Sequence, residues 1–248
     1  MKFFNEQYWY AETVLSFYLP QENFENLNLL EVGSAEGGGL KYFSGKKAFC
    51  YGIELAANRH KFAMQRIASP GIQLINGDIC DRQLMDSLPK MDIIVIRDVI
   101  EHIPDKITAL RNMRDLLKDN GTIFLSFPPK YSPYAGHQQN VKKVIGKLPF
   151  IHLLPTNLYR MFLKIAGESE NRIKHHIGTR STMISIYSIE KLFSKLKLSV
   201  LKRDLYFIRP CFKKRFGLKP RKIFLNKVPI LNEIFSLGAL YILKKRTE

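Results

Sequence analysis

Cysteine, tryptophan and long apolar runs are what this chain of 248 residues has least of. Its 3 cysteines, Cys50, Cys80 and Cys211, lie far apart with no CxxC pair. Neither a disulfide framework nor a structural zinc site is therefore expected, and a reducing cytoplasm suits them. Nowhere do about 18 apolar residues run without a charge, so no helix is expected to span a membrane. The amino-terminal MKFFNEQYWY has polar residues where a secretory signal would place its apolar stretch, so no export is expected. Acids are scarce in the second half. Residues 1–130 hold 15 Lys and Arg against 16 Asp and Glu, whereas residues 131–248 hold 24 against 6. A neutral half followed by a basic one, for a net charge of +17, points to a scaffold joined to something that meets polyanions: nucleic acid, anionic lipid or a phosphorylated substrate.

At this length, and with 46% hydrophobic residues, one large domain over residues 1–248 is expected. Short aliphatic runs at Leu27–Val32, Ala48–Ile53, Gln73–Ile75, Ile93–Ile96 and Thr122–Phe127 read as strands. Helical patterns at Asn58–Ala68, at Ile107–Leu117 and after Gly39 alternate with them. That alternation means a parallel sheet covered on both faces. Ser188 reads as the N-cap of a helix Ile189–Leu196, followed by strands Leu198–Phe207 and Leu240–Leu243. Two segments break the rhythm, residues 131–180 and 208–237, and both read as inserts. The first carries 8 basic residues against 2 acids, the second 8 against 1.

Between the first strand and its helix lies Glu31-Val32-Gly33-Ser34-Ala35-Glu36-Gly37-Gly38-Gly39. A glycine-rich turn there lets backbone approach a ligand and aims helix amides at it. Alone it is weak evidence, since Gly33-x-Ala35-x-x-Gly38 passes equally for a degenerate dinucleotide fingerprint. Its neighbours decide. Glu54 closes the second strand, where a carboxylate can accept both hydroxyls of a ribose, and Asp78 closes the third, where it can take an adenine amino group.

With these residues in view the sequence resembles the class I S-adenosylmethionine-dependent methyltransferases. Glu31-x-Gly33-x-Ala35-x-Gly37 is similar to their first motif, with Ala35 in place of the middle glycine. Glu54 resembles the ribose-binding acid, and Asp78-Ile79 the pair that meets the adenine. Arg97-Asp98-Val99-Ile100-Glu101-His102-Ile103-Pro104-Asp105 resembles the post-strand-4 signature EHhxD of the small-molecule branch. Leu116-Leu117-Lys118-Asp119-Asn120-Gly121-Thr122 resembles the turn into strand 5. The resemblance implies a doubly wound α/β fold with a seven-stranded, mostly parallel sheet of order 3-2-1-4-5-7-6. Strand 7 would be antiparallel, helices would cover both faces, and both inserts would emerge at the carboxyl rim. It implies S-adenosyl-L-methionine as cofactor. Glu31, Gly33, Ser34, Ala35, Gly37, Glu54, Leu55, Asp78, Ile79, Asp98 and His102 would lie at the cofactor, Glu31 either at its positive end or as an organiser of the loop.

Methyl transfer needs a positioned nucleophile and, for a hydroxyl, a base. It needs no metal, and no metal-ligand cluster is seen. The Asn/Asp-Pro-Pro-Tyr of amine-methylating relatives is missing: the position reads Arg97-Asp98-Val99-Ile100. His137, after strand 5, is the expected base, with a loop hydrogen bond as its alternative role. Tyr131, Tyr134 and Gln138 are expected at the substrate. The stretches Val141–Ile165 and Lys213–Phe235 interleave basic with apolar residues, with Thr156 or Asn157 as N-cap and Gly167 as the stop of a helix in the first. They suit a lid over a lipid-like substrate or a surface resting on anionic headgroups. The expectation is O-methylation of a small anionic or lipid- or phosphate-linked metabolite or saccharide, by a cytoplasmic enzyme open to peripheral attachment at the inner face of the membrane. RNA methylation along the basic rim is the less favoured reading. A cofactor-binding protein of this fold that transfers no methyl group is the third.

Overall fold

The aliphatic runs of the first half are wide enough to be buried on both faces, and alternate residues divide between two cores. In the computed structural model, which describes residues 2–67, 69–136, 138, 141–223 and 228–246, the strands form one sheet. They are β1 (Asn28–Val32), β2 (Phe49–Glu54), β3 (Ile72–Asn76), β4 (Met91–Arg97), β5 (Leu117–Phe127), β6 (Leu198–Ile208), β7 (Arg221–Lys222) and β8 (Gly238–Lys245), in the order β3-β2-β1-β4-β5-β8-β6-β7. Strands β1 to β5 pair in parallel, and β8 runs antiparallel to both β5 and β6. This is the doubly wound order expected, with β8 in the place of the expected seventh strand. The eighth, β7, is an addition. Two exposed basic residues from the second insert pair with Tyr206 and Ile208 at the sheet edge, and no apolar pattern marks them.

The helices are α1 (Lys2–Tyr10), α2 (Ser16–Tyr18), α3 (Gly38–Ser44), α4 (Ala57–Ile67), α5 (Arg82–Asp86), α6 (Lys106–Leu116), α7 (Thr156–Ile165), α8 (Glu170–Thr182), α9 (Ile186–Lys195), α10 (Cys211–Phe216) and α11 (Pro229–Phe235). On one face, Leu30, Val32, Ile94, Ile96, Ile123 and Leu125 pack against α6 and α9 through Leu110, Met113, Ile189 and Phe193. On the other, Leu29, Ile93, Val95 and Phe124 pack against α1, α3 and α4 through Tyr10, Leu40, Phe43 and Ile67.

Three local readings change. Helix α9 is capped by Ser185, whose hydroxyl accepts the Ser188 N–H at 3.0 Å, so Ser188 is inside the helix and not its N-cap. Helix α7 begins at Thr156 with Pro155 as its N-cap, and no side chain caps it; it stops before the left-handed Gly167. Helix α1, continued to Tyr18 by a π turn over Ala11–Leu15, was not expected. The side chains it buries include Glu6 and Gln7, so it has no apolar stripe to announce it. The first insert builds α7, α8 and a small core of Val141, Ile151, Tyr159, Leu163, Ala166 and Ile173. No helix among the described residues is long and apolar enough to cross a membrane.

Candidate functional site

The parallel register of β1 to β4 brings their carboxyl ends to one edge, and the turn from β1 into α3 lies there. Gly33 and Gly37 are both left-handed, at φ +73° and +77°, and a Cβ at either would collide with Val99 or Ile67. The Gly33 and Ser34 N–H groups both donate to the Ile53 carbonyl, at 2.8 and 3.1 Å. Ser34 is buried, and Ala35 takes a left-handed φ of +48° without being glycine. Helix α1 lies directly over this turn. Gln7 donates to the Ser34 carbonyl at 3.0 Å and accepts the Gly38 N–H at 3.3 Å, while the Phe4 N–H donates to Glu36 at 3.1 Å.

Each strand end carries a carboxylate. Glu54 is buried; one oxygen accepts the Ala35 N–H at 3.0 Å and the other the Ala56 N–H at 2.9 Å, so it holds the turn from the side. Leu55 beside it is 69% exposed. Asp78 is exposed and accepts the Cys80 N–H at 2.9 Å, next to the buried Ile79. Glu31 lies under the turn: Gly39 leaves room for its carboxyl, which accepts a backbone hydrogen bond from Leu40 and keeps one oxygen without a partner. Burial pushes Glu31 up to about 7 against the pull of Arg97.

After β4 the backbone turns at Asp98, whose φ is +55°. Its carboxylate, expected at the cofactor, pairs with Arg209 from the second insert. Burial works against the Asp98 charge, but Arg209 and Arg97 outweigh it and hold the group below the usual carboxylate range. Arg97 stacks on the Tyr10 ring at 4.4 Å and approaches Glu6 at 3.9 Å, and Glu6 takes Arg215 through both oxygens at 2.7 and 2.8 Å. Glu101 is fully buried with no hydrogen-bond partner on either oxygen. Burial, then the charge of Asp98, push it up to about 8, so it is a neutral acid at pH 7. His102 Nε2 lies 3.9 Å from Glu101, and burial and His175 hold the imidazole below its usual range.

Past β5, Tyr131 and Tyr134 are exposed, as a substrate-facing role needs. Gln138 is not. It is buried, and its amide donates to the Pro133 carbonyl at 2.7 Å and toward His152 Nδ1 at 3.3 Å. His152 Nε2 lies 2.9 Å from the Lys130 carbonyl, so it is the donor and Nδ1 the acceptor. The buried His176 reaches the Gly136 carbonyl at 3.2 Å. These two histidines brace the loop. His137 itself lies outside the described residues. No group of three or more His, Cys, Asp or Glu that could hold a metal occurs among the described residues.

A family model described as a methyltransferase domain matches residues 5–202. The chain belongs to this methyltransferase domain family. Two relatives, both ubiquinone biosynthesis O-methyltransferases, are similar to parts of it. That of Glaesserella parasuis serovar 5 is 29% identical over 105 residues, covering 40% of this chain and 44% of the relative. That of Nitrosomonas europaea is 27% identical over 144 residues, covering 55% and 57%. The chain thus spans about half the length of the curated relatives it matches. Solved structures of the same fold include a TehB-like methyltransferase from Corynebacterium glutamicum, with 13% identity, TM-score 0.55, and 95% of this chain and 86% of that one covered. Magnesium protoporphyrin IX methyltransferase from Synechocystis gives 14%, 0.56, 97% and 84%.

What sequence reasoning missed is the layer behind the site: Gln7, Glu6 and Tyr10 on α1, and Arg209 and Arg215 on the second insert. No spacing signals them, because they meet only in the fold. Glu101 was in view as part of a motif, and its burial gives it a measurable signature. The folded protein holds the Glu101 proton more tightly than the unfolded chain does. The resulting stability is full below the ordinary value of 4.5 and is lost as pH rises to about 8. Burial holds His102, His152 and His176 below the usual histidine range, which acts in the opposite direction. Glu101→Gln keeps the shape without the titration, so its unfolding free energy, measured by urea titration, should fall less than the parent's across that window. Parallel profiles would show that Glu101 is not the buried acid described.

Proposed function

We propose that the protein transfers a methyl group from S-adenosylmethionine to a hydroxyl of a small anionic acceptor. The observation that carries this is the set of carboxylates around the left-handed turn. Glu54 spends one hydrogen bond per oxygen on the Ala35 and Ala56 amides. A lone pair on each oxygen remains for a pair of ribose hydroxyls. Asp78 is exposed two strands from the turn's start and suits an exocyclic amine, with the exposed Leu55 as an apolar wall for a base. The left-handed turn at Gly33 and Gly37 presents main chain at the carboxyl edge of the sheet, where the donor would lie, and the orphaned oxygen of Glu31 sits just beneath. When bound, the cofactor supplies a methyl carbon already activated for displacement. Asp98 then acts through Arg209, and His102 through the loop it packs in; we do not assign either to direct contact.

The names of the two relatives support oxygen as the nucleophile. So does the end of β4, where Arg97 rests on the Tyr10 ring and Asp98 pairs with Arg209, with no amide-and-aromatic pair there to hold an amine. The calorimetric test is binding of S-adenosylhomocysteine: Glu54→Ala should weaken it about 10- to 100-fold, the loss of a charged hydrogen-bond partner. Uptake of NAD in place of S-adenosylhomocysteine would overturn the reading.

His137 is the base we propose, at a place in the chain where its neighbours Gly136 and Gln138 are buried and held. His137→Ala should lower turnover by about 100-fold or more without changing S-adenosylhomocysteine affinity. Unchanged turnover would remove it from the mechanism.

We further propose that the enzyme works at an anionic membrane surface. In the first insert Val144, Ile145, Leu148, Leu158, Met161 and Ile165 are exposed among Lys142, Lys143, Lys147 and Lys164. Basic residues interleaved with exposed aliphatic ones are the composition of an interfacial surface. The protein should sediment with phosphatidylserine vesicles and release near 1 M salt, where the screening length falls to about 3 Å. Equal sedimentation with neutral vesicles would count against it.

A further inference from the structure

We infer that a cavity between the first insert and the residues that flank it, Lys130, Ser181 and Met183, is a binding subsite for an oxyanion, a phosphate or a carboxylate, carried on the organic body of the methyl acceptor. The inference deepens the methyl-transfer reading above and rests on it for the word acceptor.

The cavity measures about 410 Å³, and Lys130, Tyr131, Thr156, Ile177, Arg180 and Met183 are among the residues that line it. It is far larger than the roughly 30 Å³ of one water and falls within the range of small-ligand sites. Its two cations are held in an unusual way. Arg180 lies with its guanidinium 5.8 Å from the ring centroid of Tyr159, which is fully buried. Lys130 Nζ lies 5.5 Å from the ring centroid of Tyr131. A ring face holds a cation in place with about 0.5–2 kcal/mol but brings no negative charge to it.

No carboxylate among the described residues pairs with either cation. The acids of the first insert are already committed. Glu168 pairs with Arg172 and accepts the Lys142 N–H at 2.9 Å, while Glu170 holds Arg160 at 2.5 Å and Lys164 at 3.1 Å. Two polar atoms are also orphaned: Arg180 Nη1 and the Tyr159 hydroxyl are both buried without a hydrogen-bond partner. The first turn of α7, which starts at Thr156 on the cavity wall, has no side-chain cap, so its amides add a partial positive charge. His152, also on the wall, is tied to Lys130 and Gln138 and adds no charge of its own at neutral pH.

Position gives the site its use. Lys130 follows β5 by three residues, on the opposite side of β1 from Asp78. Helix α8, which supplies Arg180, packs against the Ile100–His102 turn. An anion held there is on the acceptor's side of the rim, and Tyr131, Ile177 and Met183 give its organic body apolar walls.

The test is calorimetry on the full chain with phenyl phosphate and with benzoate, against chloride at matched ionic strength. At least one probe should bind the parent. Affinity should fall about tenfold or more in Arg180→Gln, and equally in Ser181→Asp, which sets a carboxylate in the cavity while keeping Arg180. Preference for phenyl phosphate assigns a phosphate, and preference for benzoate a carboxylate. Affinity for S-adenosylhomocysteine should stay within about twofold throughout. Unchanged probe affinity in both variants, or no binding beyond the chloride control, would overturn the subsite. A parent that binds a probe but no S-adenosylhomocysteine would overturn the methyl-donor reading and leave the subsite standing.

Discussion

The turn between β1 and α3 has space for backbone and almost nothing else. Val99 closes on Gly33, Ile67 on Gly37, the carboxyl of Glu31 on Gly39 and the carbonyl of Phe4 on Gly38. Four elements, namely the β4 turn, α4, β1 and α1, therefore touch one stretch of main chain. Left-handed residues other than glycine, here Ala35 and Asp98, cost about 1–3 kcal/mol each and persist only where the surroundings over-determine them. Both are over-determined. Glu54 takes the Ala35 amide, and Arg209 takes the Asp98 carboxylate. The geometry of the rim thus follows from the crowding of one turn and from two carboxylates that fix the residues beside it.

That crowding also explains what could be read before the fold was known. The strands were legible because residues such as Ile93, Ile94, Val95 and Ile96 face two cores at once and have to be aliphatic in an unbroken run. The glycines and the acids that follow each strand were legible for the same reason, as breaks in those runs. Helix α1 was not, because it buries Glu6 and Gln7 against polar backbone and not leucines against a sheet. Ser188 looked like a cap because serine before an apolar run usually is one, but Ser185, three residues earlier, reached its amide first. Gln138 looked like a substrate contact because it is polar and follows β5, and it proved to be a brace inside the loop.

Charge was the least local of the signals. Along the chain the acids stand in the first half and the bases in the second, but the fold crosses them over. Glu6 meets Arg215, Asp98 meets Arg209, and Asp119 meets Lys245 at 3.3 Å. Within the basic half Asp204 takes Lys222 at 2.8 Å. The second insert, read as a +7 surface facing the substrate, therefore turns part of its charge inward, against α1 and the end of β4. Its surplus in space is smaller than its surplus in sequence.

The two inserts consequently differ in kind. Arg209 is matched by Asp98, and Arg215 by both oxygens of the largely buried Glu6, and removing either arginine would leave an acid without its partner. Charges so committed cannot also be offered to an acceptor without loosening α1 from the turn it covers. Lys130 and Arg180 rest on tyrosine rings, which fix their positions and leave their charge unspent. A ring beside such a cation brings no competing negative charge to it. On the subsite proposed above, selectivity for the acceptor belongs to the first insert, while Arg215 of the second ties the amino-terminal helix down over the glycine turn.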